Sequence, residues 1–179
     1  NGKLRSYEGT NSKVAQPSLS WTGEYLAFTE GDDIVVADLS TGTEKARITD
    51  ADNPYISAGG RFVYFTSRRT DLLSSDEPAP GGEIAQAYRY DLATSETVAL
   101  SRRGPDYGNG AASKGMLSEN GRIAIFASKA ENLLNEGNDV QDVFSMDPGN
   151  VTNSLPVAED VEATTNEDEM LVGISLKGT

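Results

Sequence analysis

Short apolar runs alternate with turn-forming residues along most of the chain, and none is long or regular enough to predict an extended helix. Three stretches share one pattern. The first is Gln16-Pro-Ser-Leu-Ser-Trp-Thr-Gly-Glu-Tyr-Leu-Ala-Phe-Thr29. The second is Asn53-Pro-Tyr-Ile-Ser-Ala-Gly-Gly-Arg-Phe-Val-Tyr-Phe-Thr66. The third is Lys114-Gly-Met-Leu-Ser-Glu-Asn-Gly-Arg-Ile-Ala-Ile-Phe-Ala127. Each holds Ser-x-x-Gly (Ser20/Gly23, Ser57/Gly60, Ser118/Gly121) followed by an apolar run that reaches Phe28, Phe65 or Phe126. Ser suits the entry of a turn and Gly the positive φ that closes it, so each motif predicts a hairpin.

A second apolar run ending in Asp follows each time, at Ile34–Asp38, Tyr88–Asp91 and Val143–Asp147. Tyr25–Phe28 and Phe62–Phe65 are apolar at successive positions, which predicts strands covered on both faces. Thr41-Gly42 and Thr94-Ser95 then predict tight turns into polar outer strands over Glu44–Thr49 and Glu96–Arg102. One unit is thus about four strands. The second unit is longer than the first, and the extra residues fall between strands, where a repeated sheet tolerates insertion.

The three units resemble TolB-like (WD-related) β-propeller repeats over residues 3–150. That family typically reads Ser-Pro-Asp-Gly, an apolar strand, then a strand ending Asp-Leu. Here Asp38-Leu39 and Asp91-Leu92 keep the ending, Asp147-Pro148 loses the Leu, and both Ser57–Gly60 and Ser118–Gly121 depart in the middle pair. The third unit, with Asn132-Leu-Leu134 and Gln141-Asp-Val-Phe144, resembles a subtype common in secreted bacterial proteins. The resemblance implies an all-β fold of four-stranded blades. Propellers have about 4–8 blades, so three units imply a partial propeller. Lys3–Glu8 reads as the outer strand of a preceding blade. The sequence is therefore expected to start inside a larger propeller, or to draw the missing strands from another chain or from its own C-terminal end. Residues 151–179 form a separate segment. Pro156-Val-Ala-Glu-Asp160, Thr164–Asp168 and Ile174–Thr179 resemble the opening of a bacterial cadherin-like or immunoglobulin-like repeat.

Composition narrows the chemistry. The chain of 179 residues holds no His and no Cys, which excludes a Ser-His-Asp triad, thiolate chemistry, disulfides and His/Cys zinc sites. Its formal charge of −13 opposes phosphate backbones and anionic membrane surfaces. No apolar run reaches the roughly 18 residues of a membrane span. No Met or leader opens the sequence, so Asn1 reads as a processed or engineered end.

Four sets of residues are candidates for chemistry. The acidic loop before the last strand of the third unit offers Glu136, Asn138, Asp139 and Asp142 as oxygen ligands for calcium; the plainer reading is a solvated turn. Asp38, Asp91 and Asp147 recur once per unit, which marks turn caps rather than catalysts. Trp21, Tyr25, Tyr55 and Tyr64 are expected to pack blades, and Arg68-Arg69 and Arg102-Arg103 to form surface ion pairs. Glu167-Asp168 would ligate calcium only as the cadherin-like resemblance implies, and Asn150-Val-Thr152 is a glycosylation sequon.

Met170, Val172, Ile174 and Leu176 alternate with other residues, so a strand built from them carries an apolar face that it cannot bury alone. The expected function is a non-enzymatic structural or interaction module of a secreted or cell-surface bacterial protein. It would self-associate, or pair with another protein chain, by strand addition, and head-to-tail addition would build an extracellular filament. A ligand- or carbohydrate-binding propeller of a calcium-dependent adhesin and an accessory propeller of a hydrolase are the alternatives.

Overall fold

The computed structural model describes residues 6, 13–134 and 140–148. The chain divides into two compact units, Asn1–Pro148 and Gly149–Thr179; the described residues all lie in the first. They form strands and turns without a helix. The stretches Asp71–Ser75 and Ala130–Leu134 are bends, turns and irregular segments.

Three antiparallel sheets follow one another along the chain. Blade 1 is β1 (Val14–Leu19), β2 (Tyr25–Glu30), β3 (Asp33–Asp38) and β4 (Thr43–Ile48), paired in that order. Blade 2 repeats this with β5 (Ala51–Ile56), β6 (Phe62–Ser67), β7 (Gln86–Asp91) and β8 (Thr97–Ala99). A small hairpin, β9 (Arg102–Arg103) with β10 (Asp106–Tyr107), is inserted next and cuts β8 shorter than its counterpart β4. Blade 3 contributes β11 (Ala112–Leu117), β12 (Ala124–Ser128) and β13 (Asp142–Met146) as described strands.

The predicted hairpins form alike in all three blades. The Gly N–H donates to the Ser carbonyl at 3.0, 2.8 and 2.9 Å for Gly23, Gly60 and Gly121, with φ of 71°, 75° and 66°. The Ser hydroxyl then accepts the N–H of Tyr25, Phe62 or Ile123 at 3.1, 3.1 and 2.9 Å. Ser thus satisfies a backbone donor that the turn leaves without a ladder partner.

Strand alternation sends side chains to opposite faces, and the two faces meet different neighbours. Ala27, Ile34, Val36 and Ile48 of blade 1 bury against Ile56, Val63, Phe65 and Tyr88 of blade 2. Phe62, Tyr64 and Ala87 of blade 2 bury against Leu117, Ala124, Phe126 and Phe144 of blade 3. Each junction therefore joins the forward face of one blade to the rear face of the next. Strand β6 is buried along its whole length, as its two-sided apolar run required.

Arg89 sits inside the second junction. Its guanidinium lies 4.8 Å from the centre of the Phe62 ring and donates to the Gly121 carbonyl at 2.7 Å. Burial pulls its pKa below the ordinary value while Asp91 pulls it up. Tyr88, stacked on Phe65 at 5.4 Å, buries a hydroxyl that finds no hydrogen-bond partner among the described residues. Because an unpaired buried hydroxyl is costly, Tyr88→Phe should leave stability unchanged or raise it by about 1 kcal/mol. Urea denaturation reads this, and a clear loss would show that the hydroxyl is paired.

Candidate functional site

The recurring aspartates act as caps. Asp38 accepts the N–H groups of Ser40 and Thr41 at 2.8 and 3.1 Å. The Ser40 hydroxyl, then these backbone donors, hold its carboxyl below the usual range. Asp91 accepts the Ala93 N–H and both forks of Arg61, at 2.9 and 2.7 Å. Burial works to raise the Asp91 pKa, but Arg61 and Ala93 outweigh it and the carboxyl lies below its ordinary value. Arg122 and Asp147 repeat the pair in blade 3 at 3.1 Å, whereas blade 1 has Glu24 at the arginine position.

A carboxyl whose folded pKa is depressed adds stability above its unfolded value of about 3.9, and that stability is lost as pH falls through the lower folded value. Asp91→Asn should therefore narrow the stability gap between about pH 7 and about pH 3 measured by denaturant titration. An unchanged gap would mean that the Arg61 pair contributes nothing.

Arg69 pairs with Asp71 and Arg102 with Glu77, as expected of surface basic residues. Another acidic cluster, Glu30, Asp33 and Glu44, closes around Arg47 at 2.7–3.2 Å, so its charge is met internally. Among the described residues no group of three or more acidic side chains is arranged to hold a metal. Asp142 opens β13 opposite Ser128 and is half-buried. Glu136, Asn138 and Asp139, the other members of the proposed calcium loop, lie outside the described residues. So do Asn150–Thr152, Glu167-Asp168, Met170, Val172, Ile174 and Leu176, and, of the expected outer strand Lys3–Glu8, every residue but Ser6.

The bulges in the first strands were not read from the sequence. Each of β1, β5 and β11 breaks register midway, between Ala15/Ser18, Asp52/Tyr55 and Ala112/Gly115. Gln16 and Asn53 take left-handed φ of 51° and 56° there, each just before a proline. Side chains hold this geometry: Gln16 Nε2 donates to Asp52 Oδ1 at 2.8 Å, and the Asn53 N–H donates to Gln16 Oε1 at 3.1 Å. In β1 and β5 the bulge accommodates a proline inside the strand.

The bulges put Gln16, Asn53 and Lys114, one from each blade, on the rim of a groove of about 500 Å³ whose floor includes Tyr55, Met116 and Ile125. The groove runs onto the forward face of blade 3. Ile125 is 39% exposed, while its counterparts Ala27 and Tyr64 are at 0%. Val143 is 74% exposed, against 0% for Ile34 and Ala87. Tyr64 and Tyr55 pack between blades as expected, Tyr25 partly so. Trp21 does not: it is 90% exposed on the blade 1 turn, where only its backbone N–H is engaged, by the Ala58 carbonyl at 3.0 Å. Its position in the turn, rather than on the strand, releases it from the packing pattern.

No family model matches the chain, and no curated protein matches it. Solved structures do. TolB from Acinetobacter baumannii aligns with a TM-score of 0.51 at 20% identity, over 78% of this chain and 31% of TolB. A structure from a study of two prolyl endopeptidases aligns with a TM-score of 0.50 at 19% identity, over 77% of this chain and 21% of the other. The β-propeller domain of the Trilobed protease from Pyrococcus furiosus aligns at 0.47 and 17% identity, over 65% and 34%. The chain thus spans about a third or less of the first two proteins. At such identities the likeness concerns the fold alone, and with the repeated four-stranded sheets it gives the described residues a β-propeller-type fold similar to that of TolB.

Proposed function

We propose that this chain is a non-catalytic interaction module of a secreted or cell-surface bacterial protein, and that it works by self-association through its open blade surface. One observation carries the reading. The forward face of blade 3 exposes Met116, Ile125 and Val143, while Ala27 and Tyr64 at the Ile125 position and Ile34 and Ala87 at the Val143 position are buried. A contiguous apolar surface of this kind marks an interaction site. The acidic, His-free and Cys-free composition supports a scaffold role and gives no purchase to nucleic acid or to insertion in a membrane.

In the sequence reading the donor is the strand carrying Met170, Val172, Ile174 and Leu176, and its head-to-tail addition gives an extracellular filament. Strand addition of this kind engages the free edge of a sheet, beside the apolar face that blade 3 exposes. Calcium belongs to the same reading through Glu136, Asn138, Asp139 and Asp142; calorimetric titration with calcium chloride tests it, and absence of heat removes it.

Sedimentation velocity over a dilution series tests self-association. The full chain should sediment faster as concentration rises, and Val143→Glu should weaken that trend. Val143 is exposed, so the variant keeps its fold. A concentration-independent monomer would overturn the proposal.

A further inference from the structure

The residue after each recurring aspartate has a fixed backbone task in blades 1 and 2. The Leu39 N–H donates to the Glu24 carbonyl at 2.7 Å, and the Leu92 N–H donates to the Arg61 carbonyl at 2.9 Å. Blade 3 keeps the same register: Ala124 faces Met146 as Leu26 faces Ala37 and Val63 faces Tyr90. Arg122 therefore stands where Glu24 and Arg61 stand. The residue opposite its carbonyl is Pro148, and a proline nitrogen has no hydrogen to donate. The carbonyl that anchors the chain in the other two blades is here set against the nitrogen of an Asp–Pro peptide bond.

The aspartate itself is also placed differently. The Asp91 side chain is 11% exposed and caps its turn through the Ala93 N–H. The Asp147 side chain is 42% exposed, and Arg122, its partner at 3.1 Å, is 66% exposed. A guanidinium beside a carboxylate favours the charged, nucleophilic form. Pro148 is half-buried and is the last residue of the first compact unit. A carboxylate, a peptide bond with a readily protonated prolyl nitrogen, a carbonyl acceptor and solvent thus come together at the end of β13.

We propose that blade 3 promotes cleavage of its own chain between Asp147 and Pro148, as a single event and without turnover. A carboxylate oxygen of Asp147 bonds to the main-chain carbonyl carbon of the same residue, closing a five-membered ring. The bond from that carbon to the Pro148 nitrogen breaks. The nitrogen keeps the electron pair and takes up a proton from solvent, and the Arg122 carbonyl accepts the N–H so formed. The cyclic anhydride left on Asp147 then adds one water molecule. That restores the side-chain carboxyl and gives Asp147 a free main-chain carboxyl, so one peptide bond and one water become an acid and a prolyl amine. Cleavage separates the blades from residues 148–179, which include Met170, Val172, Ile174 and Leu176.

Intact-mass spectrometry of the full chain, incubated in mildly acidic buffer, tests this. Two products should accumulate, residues 1–147 and 148–179, with masses that sum to that of the chain plus one water. The same buffer with enough urea to unfold the chain gives the intrinsic lability of an Asp–Pro bond. The folded chain should cleave faster than that by about tenfold or more, since the fold holds the reacting groups together. Pro148→Leu puts back the N–H that anchors this position in blades 1 and 2, and Asp147→Ala removes the nucleophile. Both should lose the cleavage while circular dichroism stays that of the parent chain. Folded chain that stays intact, or that cleaves no faster than the chain in urea, would overturn the proposal. Cleavage at the same bond in Asp147→Ala would also overturn it, because the side chain would then have no part in the reaction.

Discussion

Tyr64→Ala should cost about 3–5 kcal/mol of unfolding free energy, the range for removing a fully buried aromatic ring. Tyr64 has no exposed surface and lies at the centre of the junction between blades 2 and 3. Its ring also occupies the space above Gly115, where a Cβ would stand 2.4 Å from Cζ. Its hydroxyl donates to the Ser113 carbonyl, which ties β6 to the bulged strand β11, and burial pushes its pKa up. Truncation removes both the packing and the tie. Tyr64→Phe removes only the tie and should cost about 1 kcal/mol. Chemical denaturation of the two variants separates the contributions. Equal small losses would mean that the junction is not packed as described.

Gly121→Ala should cost about 2–5 kcal/mol, the sum of left-handed strain near 1–2 kcal/mol and overpacking of about 1–3. The Phe62 ring fills the place of the new methyl group. It cannot swing away, because Arg61 and Arg89 lie 4.9 and 4.8 Å from its centre. Gly23→Ala at the same repeat position meets no neighbour and should cost only the strain, about 1–2 kcal/mol. The comparison reads burial by the preceding blade directly. It should be made at low protein concentration, where self-association is least. There, equal costs would contradict the difference between the covered and uncovered turns.

Much of this architecture is legible in the sequence because the repeat is local. Ser20/Gly23, Ser57/Gly60 and Ser118/Gly121 set the same hairpin three times, and the hydrogen bonds they make differ by at most 0.2 Å between blades. The two-sided apolar run Phe62–Phe65 announces a strand buried on both faces, and β6 is one. Asp38 and Asp91 read as caps for the same reason: a residue repeated with the fold serves the fold. The bulge in the first strand of each blade was not legible. In β1 and β5 it takes left-handed Gln16 or Asn53 beside Pro17 or Pro54, a combination that locally signals a turn, and pairing with β2 or β6 keeps it in the strand. Trp21 misled because aromatic residues usually pack, although its place inside Ser20-x-x-Gly23 marks a turn position.

The candidate site was less visible still. Ile125 and Val143 look like core residues in sequence, and they occupy core positions of the repeat. Their exposure follows from the absence of a covering sheet among the described residues, which no local pattern encodes. Arg89 is a similar case. As a charged residue in a strand it suggests a surface, yet it is buried because the Gly121 carbonyl and the Phe62 ring receive it.

The central claim is that the exposed forward face of blade 3 mediates self-association. Light scattering of the full chain over a wide concentration range tests it most directly. The account predicts a mass that rises above that of one chain, 19.1 kDa, as concentration increases, with Ile125→Glu shifting the rise to higher concentration. A mass that stays at one chain throughout would contradict it.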